Sequence, residues 1–418
     1  MKSLPAFLLL LLSVATVVAQ RPNYIKGKVT HGETGTGIPN ASVFITNTSK
    51  GTTSNAAGQF ELLNVPEGNY DLVVSSIGFE TLVYSYKASE LPLQLKVQLK
   101  PRAQELQTVV VEPFEKDGWE KWGKFFTESF VGTSSFAGRC TITNYKTLRF
   151  RHSKKKNVLT VVATEPLLIE NKALGYKIQY QLEEFSYDFK QGMLMYFGYT
   201  LFDELNDAPA KKRQVENREK SYYGSIVHFM SSIYHNRLAE EGFAVKRLVK
   251  TPNLEKQRVK QIMMRPVNKQ QNFNDKNLRV MIGGDGDSAT YYQRILKQPD
   301  MLETYGNSLL TADSLLVKGD SIYKRIYFTD YLYVVYKGEK EDDEYLRYTH
   351  ETRDPYYQRS VVYLINNMPL VIDAMGNYSM PQGLISYGYW AWSEKIATLL
   401  PLDYEKQTKS GTIFARPR

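Results

Sequence analysis

The chain has five histidines, at positions 31, 152, 228, 235 and 350. None is followed three residues later by Glu, and His-Glu-x-x-His is also missing. Two imidazoles and a carboxylate on one zinc ion would need such spacing. His228 and His235 lie seven apart, with Glu240 and Glu241 nearby. That separation suits one helix face over two turns better than a metal site, so His228 is expected to pack beside Phe229 and His235 to be solvated. Gly283-Gly284-Asp285-Gly286-Asp287 invites a calcium loop, but counting from Asp285 puts Leu296 where the closing Glu belongs. Gly-x-Ser-x-Gly and the phosphate-cradling Gly-x-x-x-x-Gly-Lys are both absent. Glu183-Glu184 and Asp203-Glu204 are adjacent carboxylates, which on a strand point to opposite faces and build no acid–base couple by themselves. Glu339 to Glu344 reads as a solvated acidic hairpin tip. Cys140, the one cysteine, can form no internal disulfide and sits in a strand-like context that favours burial over nucleophilic duty. No catalytic residue, metal site or cofactor is expected.

Charge says more than these motifs do. The net charge is +9, yet residues 20–112 carry eight basic and eight acidic residues. Between Lys211 and Arg279 there are sixteen basic and six acidic residues, which accounts for the whole imbalance. Lys211, Lys212, Arg213, Arg218 and Lys220 precede an apolar helix, and Lys246, Arg247 and Lys250 follow it. These eight residues are the candidate ligand-binding set, facing an anionic glycan or lipid headgroup rather than nucleic acid. A solvated helical face is the plainer alternative.

The elements that must position these residues can be read from periodicity. Met1-Lys2 followed by an apolar run from Ala6 to Val18, with small residues to Ala19, has the layout of a cleaved signal peptide over residues 1–19. Export to the periplasm or outer envelope is then expected, with no transmembrane span after cleavage. From Tyr24 to about Glu112, short alternating strands are separated by turns every eight to twelve residues, which argues for a β-sandwich over residues 20–112. Val109 to Val111 reads as a last strand or linker. Aromatics at 119, 122, 125, 126 and 130 mark one face of a helix. A strand-rich run from Cys140 to Phe202 follows, turning at Lys154–Asn157 and Lys190–Gly192. A helical insertion covers about 212–264, broken near Gly224, and a loose loop (268–287) leads to a helix from Ser288 to Lys297. The last third returns to strands, including 332–337, 360–365 and 370–373, and closes on a short element at 390–400. Residues 113–418 are therefore an α+β unit within a mostly-β protein.

Gly27-Lys28-Val29, Gly37-Ile38-Pro39-Asn40-Ala41-Ser42-Val43, Thr52-Thr53-Ser54-Asn55-Ala56-Ala57-Gly58-Gln59-Phe60, Gly68-Asn69-Tyr70 and Ser76-Ile77-Gly78-Phe79 occur in that order. They resemble the carboxypeptidase-regulatory-like family, which implies a transthyretin-like sandwich found at the start of many exported Gram-negative proteins. The family's accessory domain has no catalytic residues of its own, so none carries over. Glu165-Pro166-Leu167, Asn171 to Ile178, Tyr223 to Phe229 and Glu241-Gly242-Phe243 resemble the uncharacterised region that follows this sandwich in related secreted proteins. The reading that follows is a non-catalytic exported binding or scaffold protein of the envelope, whose partner is an envelope protein or an anionic glycan or lipid headgroup. The alternative is a hydrolase of peptides or glycans with a site assembled from distant residues of the second unit. A deep pocket of ionisable side chains would favour that alternative.

Overall fold

The computed structural model describes residues 23–66, 68–102, 112–205, 211–264, 287–317, 323–379 and 383–404. The expected signal peptide, the Val109–Val111 segment and the Gly283–Gly286 loop lie outside these residues.

Seven strands form the sandwich. β1 (Tyr24–His31) lies between β4 (Gln59–Leu63) and β7 (Leu93–Leu99), antiparallel to the first and parallel to the second. The facing sheet runs β3 (Gly51–Thr53), β2 (Ser42–Ile45), β5 (Asn69–Ser75), β6 (Leu82–Lys87). In β4 burial alternates strictly, placing Phe60 and Leu62 inside and Glu61 outside, as a sheet with one solvated face requires. Phe60, Tyr70, Tyr86 and Leu72 fill the space between the sheets, and Phe79 packs partly buried against them. Gly58 shows why its turn needs glycine. Its φ is +78°, and an added Cβ would lie 2.3 Å from the Val29 carbonyl oxygen.

Helix α1 (Gly118–Phe130) opens the remainder, and Phe126 and Phe130 on its apolar face are fully buried. They pack on a six-stranded sheet built from β8 (Cys140–Ile142), β9 (Leu148–Ser153), β10 (Val158–Ala163), β11 (Leu167–Asn171), β12 (Tyr176–Asp188) and β13 (Met193–Glu204). A bulge at Leu182/Glu184 interrupts the β12–β13 ladder, and both Glu183 and Glu184 are exposed there.

The stretch 212–264 is helical at its two ends and extended between them. α2 (Lys211–Tyr222) and α3 (Ile226–Tyr234) flank the expected break at Gly224, and α4 (Leu254–Met264) is the expected third helix. Between α3 and α4 lies β14 (Phe243–Pro252), a strand inside the expected helical insertion. Phe243 and Val245 on it are buried against the next core, and that apolar alternation decides for a strand. β14 pairs with β15 (Met301–Tyr305) and β18 (Tyr331–Lys340), and the sheet continues through β19 (Tyr357–Leu364) to β21 (Leu384–Gly388). α5 (Asp287–Lys297) and the short α6 (Ala312–Leu315) lie between β14 and β18 in the chain. A small sheet joins β16 (Leu316–Val317), β17 (Lys324–Ile326) and β20 (Leu370–Ile372). α7 (Asp343–Tyr348) follows β18, and α8 (Tyr389–Ser393) closes the last core with Trp390.

The sandwich is stitched to the rest at one hairpin. The Asn47 N–H donates to the Thr200 carbonyl (2.7 Å), Phe202 N–H donates to Thr48 O (3.0 Å), and Leu402 N–H donates to Asn47 O (2.6 Å). Ser49 adds two bonds to the Asp403 carboxylate, from its amide and its hydroxyl. Phe44 and Val73, from the sandwich's outer face, pack with Leu201.

Candidate functional site

A small, half-open cleft lies where the two larger cores meet. Its lining comes from five places far apart in sequence: Ser134 after α1, Lys220 and Ser221 of α2, Glu339 near the end of β18 with Asp342 just beyond it, Gln358 of β19, and Tyr389, Trp392 and Glu394 of α8 and its end. Tyr389, Trp392 and Gln358 are buried.

Gly224 sets the geometry. Its φ of +79° breaks α2 from α3, and a Cβ there would lie within 3 Å of the Tyr336 ring and the Gln358 amide. Its carbonyl accepts a 2.6 Å bond from the Trp390 indole, which ties the break to α8. Ser225 then caps α3, its hydroxyl accepting the His228 amide (3.1 Å). The next free amide of that helix start, Ile226 N–H, donates to Glu394 Oε1 at 3.0 Å. A carboxylate is well placed there, since the first amides of a helix lack internal acceptors. Burial nevertheless dominates, pushing the Glu394 carboxyl up to about 7 against the Ile226 bond and Lys395, which act the other way. Burial likewise pulls the Lys395 ammonium down to about 8, with Glu394 opposing.

Across the cleft, burial also raises Glu339 above the ordinary carboxylate range. Lys220 opposes that shift, Asp342 adds to it, and a weak bond from Gln358 Nε2 (3.4 Å) opposes it. Asp342 is engaged on both oxygens, by Lys220 Nζ (2.9 Å) and the Tyr389 hydroxyl (3.1 Å). The expectation of a solvated tip over Glu339 to Glu344 is therefore wrong. Glu339 and Asp342 line the cleft, and Glu341 is 4% exposed, held by Arg353 Nη1 at 2.6 Å and the Tyr356 amide at 3.0 Å. Chain position beside a charge run did not reveal that Arg353 and Arg359 fold back onto it.

His228 is buried with its Nδ1 accepting the Gly224 amide (3.1 Å) and its Nε2 facing Glu241 (3.2 Å). Its ring meets Phe243 and Tyr336 rather than Phe229. His235 lies at the far end of α3, exposed, against the Ala374 carbonyl. Burial pushes the Cys140 thiol up to about 12, which keeps it protonated. Among the described residues no group of His, Cys, Asp and Glu is arranged to hold a metal ion.

The basic residues are dispersed rather than gathered on one helical face. Lys212 and Arg213 are exposed at the start of α2, and the Lys211 side chain lies outside what is described. Arg218 donates two hydrogen bonds to the Glu204 carboxylate and stacks over Tyr176. Lys220 belongs to the cleft. Lys246, Arg247 and Lys250 lie on β14, where Arg247 pairs with Asp330 and Lys250 with Glu303.

The cleft residues escaped the sequence reading. One signal was present: Glu394-Lys395 interrupts an otherwise apolar run from Tyr389 to Leu400. A charge pair in such a run is either solvated or enclosed with partners.

A family model described as a CarboxypepD_reg-like domain matches residues 25–111. Residues 25–111 are a CarboxypepD_reg-like domain. Its seven strands leave the cleft outside it, in the part of the chain that this family model does not reach. No curated protein matches the chain. Among solved structures, the chain resembles a type II cohesin–X-dockerin complex of Acetivibrio cellulolyticus, with 16% identity over 18% of this chain and 51% of that one, at a TM-score of 0.16. It spans about half of that structure's chain. A protein of unknown function from Bacteroides fragilis NCTC 9343 matches over 88% of this chain and 95% of its own, at 10% identity and a TM-score of 0.16. At that degree of superposition, neither likeness speaks to this chain's activity. No helix among the described residues is long and apolar enough to cross a membrane.

Proposed function

We propose that the protein is a non-catalytic exported binding module of the cell envelope. The observation that carries this reading is how the ionisable groups in the cleft and behind it are engaged. Asp342 is held by Lys220 and Tyr389, Glu394 caps α3, and His228 spends both ring nitrogens on Gly224 and Glu241. General acid–base work needs a group within reach of the reacting atom and free to exchange its proton. These side chains hold elements together instead. The CarboxypepD_reg-like domain supports the same reading, since its family is an accessory one.

Contact with an anionic glycan or lipid headgroup falls to Lys212, Arg213 and Lys246, which form no ion pair among the described residues. Lys211, Arg218, Arg247 and Lys250 complete the surface set, the last three exchanging their present carboxylate partners, while Lys220 stays with Asp342 in the cleft. Binding of that kind weakens with ionic strength. The test is cell fractionation of the full chain, followed by retention on vesicles containing an anionic lipid at low and high salt. Envelope recovery and retention that falls at high salt are expected. Cytosolic recovery sinks the export half, and salt-independent retention sinks the anionic surface.

One observation favours the hydrolase alternative: two carboxyls with raised affinity for protons, Glu339 and Glu394, line a single cleft. Turnover of a peptide or glycan that is lost in Glu394→Gln would establish it.

A further inference from the structure

The cleft has more acceptors than its own donors satisfy. Ser134 Oγ and Ser221 Oγ are both enclosed without a hydrogen-bond partner among the described residues, and both belong to residues that line it. A buried hydroxyl left unbonded costs about 1–3 kcal/mol, so two at one place call for a group that bonds them. Glu339 has one long bond from Gln358, and Glu394 one bond from a backbone amide; among the described residues neither carboxyl is in an ion pair. The walls between these oxygens are aromatic: Phe136, Tyr223, Tyr389 and Trp392. The one cation lining the cleft among the described residues, Lys220, is bonded to Asp342.

A ligand for this lining has to donate several hydrogen bonds, carry positive charge and tolerate ring faces. An ammonium has three donors and no acceptor. It is also drawn to aromatic faces, by about 0.5–2 kcal/mol where water is excluded. An anion would meet two carboxyls with no cation to spare. A coordinated metal ion is disfavoured, because the described residues hold no cluster of ligating groups for one.

We propose that the cleft between Ser134, Ser221, Glu339 and Glu394 is a binding site for a primary ammonium group, carried on a lysine side chain of a peptide or protein partner. This adds to the binding module a second site, for a cation and apart from its anionic-ligand surface, and rests on that reading. Trp392 and Tyr389 lie along its stem, and the carboxyls and the two hydroxyls receive its head. Nothing is transferred or cleaved.

The experiment is calorimetric titration of the full chain with Nα-acetyl-lysine N-methylamide, alongside the uncharged norleucine analogue of matching length. Saturable binding of the lysine compound is expected, with at least tenfold weaker binding of norleucine. Glu394→Gln keeps an oxygen for the Ile226 amide and so preserves the fold, and it should weaken lysine binding about tenfold. Glu339→Gln should do the same, and Ser221→Ala about threefold. Melting profiles of each variant separate lost binding from lost folding. Equal binding of both compounds, or lysine binding unchanged in both glutamine variants, overturns the proposal. Absence of saturable binding also overturns it, while leaving the binding-module reading to its own vesicle test. Chemical conversion of the lysine compound, seen by mass spectrometry, would instead overturn the non-catalytic reading and keep the site.

Discussion

The sandwich and the cleft are built by opposite means. Every strand of the sandwich lies within residues 24–99, and its turns carry residues whose types state the backbone they need, as Gly58 does at φ +78°. The cleft draws on positions 134, 220, 339, 358 and 394, which only packing brings together. In the first region a residue answers mainly to its neighbours in the chain. In the second it answers to groups more than a hundred positions away. Polar side chains in the sandwich are mostly at its surface, while the cleft encloses several and has to satisfy them mutually.

Substitutions can break or sharpen that contrast. The largest effect is expected from Trp390→Ala, which empties a core position and strips the Gly224 carbonyl of its indole donor. A loss of about 4 kcal/mol is expected in urea unfolding. A loss below about 1 kcal/mol would mean that the two sides of the cleft are held together by something else. Gly58→Ala attacks the local logic of the sandwich, forcing a Cβ against the Val29 carbonyl at positive φ. About 3 kcal/mol is expected, from strain and steric conflict together. If alanine were neutral there, the turn would not need glycine, and the motif would be no guide to backbone.

Next comes pH. The Glu394 carboxyl has its proton affinity raised from the ordinary 4.5 to about 7, so the folded protein binds that proton more tightly than the unfolded chain. Its contribution is whole below pH 4.5 and is lost as pH rises towards 7. Glu394→Gln should remove that slope and leave the protein about 2 kcal/mol more stable than the parent at pH 7.5, by denaturant titration across the range. Lys395 acts in a separate window, adding stability between about pH 8 and its ordinary 10.5. An unchanged slope would show that Glu394 is hydrated. The smallest effect is expected at the junction. Asn47→Ala removes the Oδ1 acceptor of the Thr200 hydroxyl and should cost about 1 kcal/mol in the same assay. A cost of 3 kcal/mol or more would make the junction, rather than either core, the weak point of the chain.

The sequence by itself determined the elements with a strong period. The alternation in β1, β4 and β7 gave their faces, and the aromatic spacing of α1 placed Phe126 and Phe130 inward. The helix break at Gly224 was legible too, because glycine followed by a capping serine is a local statement. Tertiary structure alone decided that β14 is a strand despite its lysines, since its apolar alternation matters only beside β18. It also decided that Glu339, Glu341 and Glu394 turn inward. Whether a charge faces water or is enclosed depends on what folds back over it: Arg353 in one case, the first amides of α3 in another. Periodicity is a property of neighbours along a chain and can be read there. The desolvation of a carboxyl is a property of its surroundings in space, which exist only once the chain has folded.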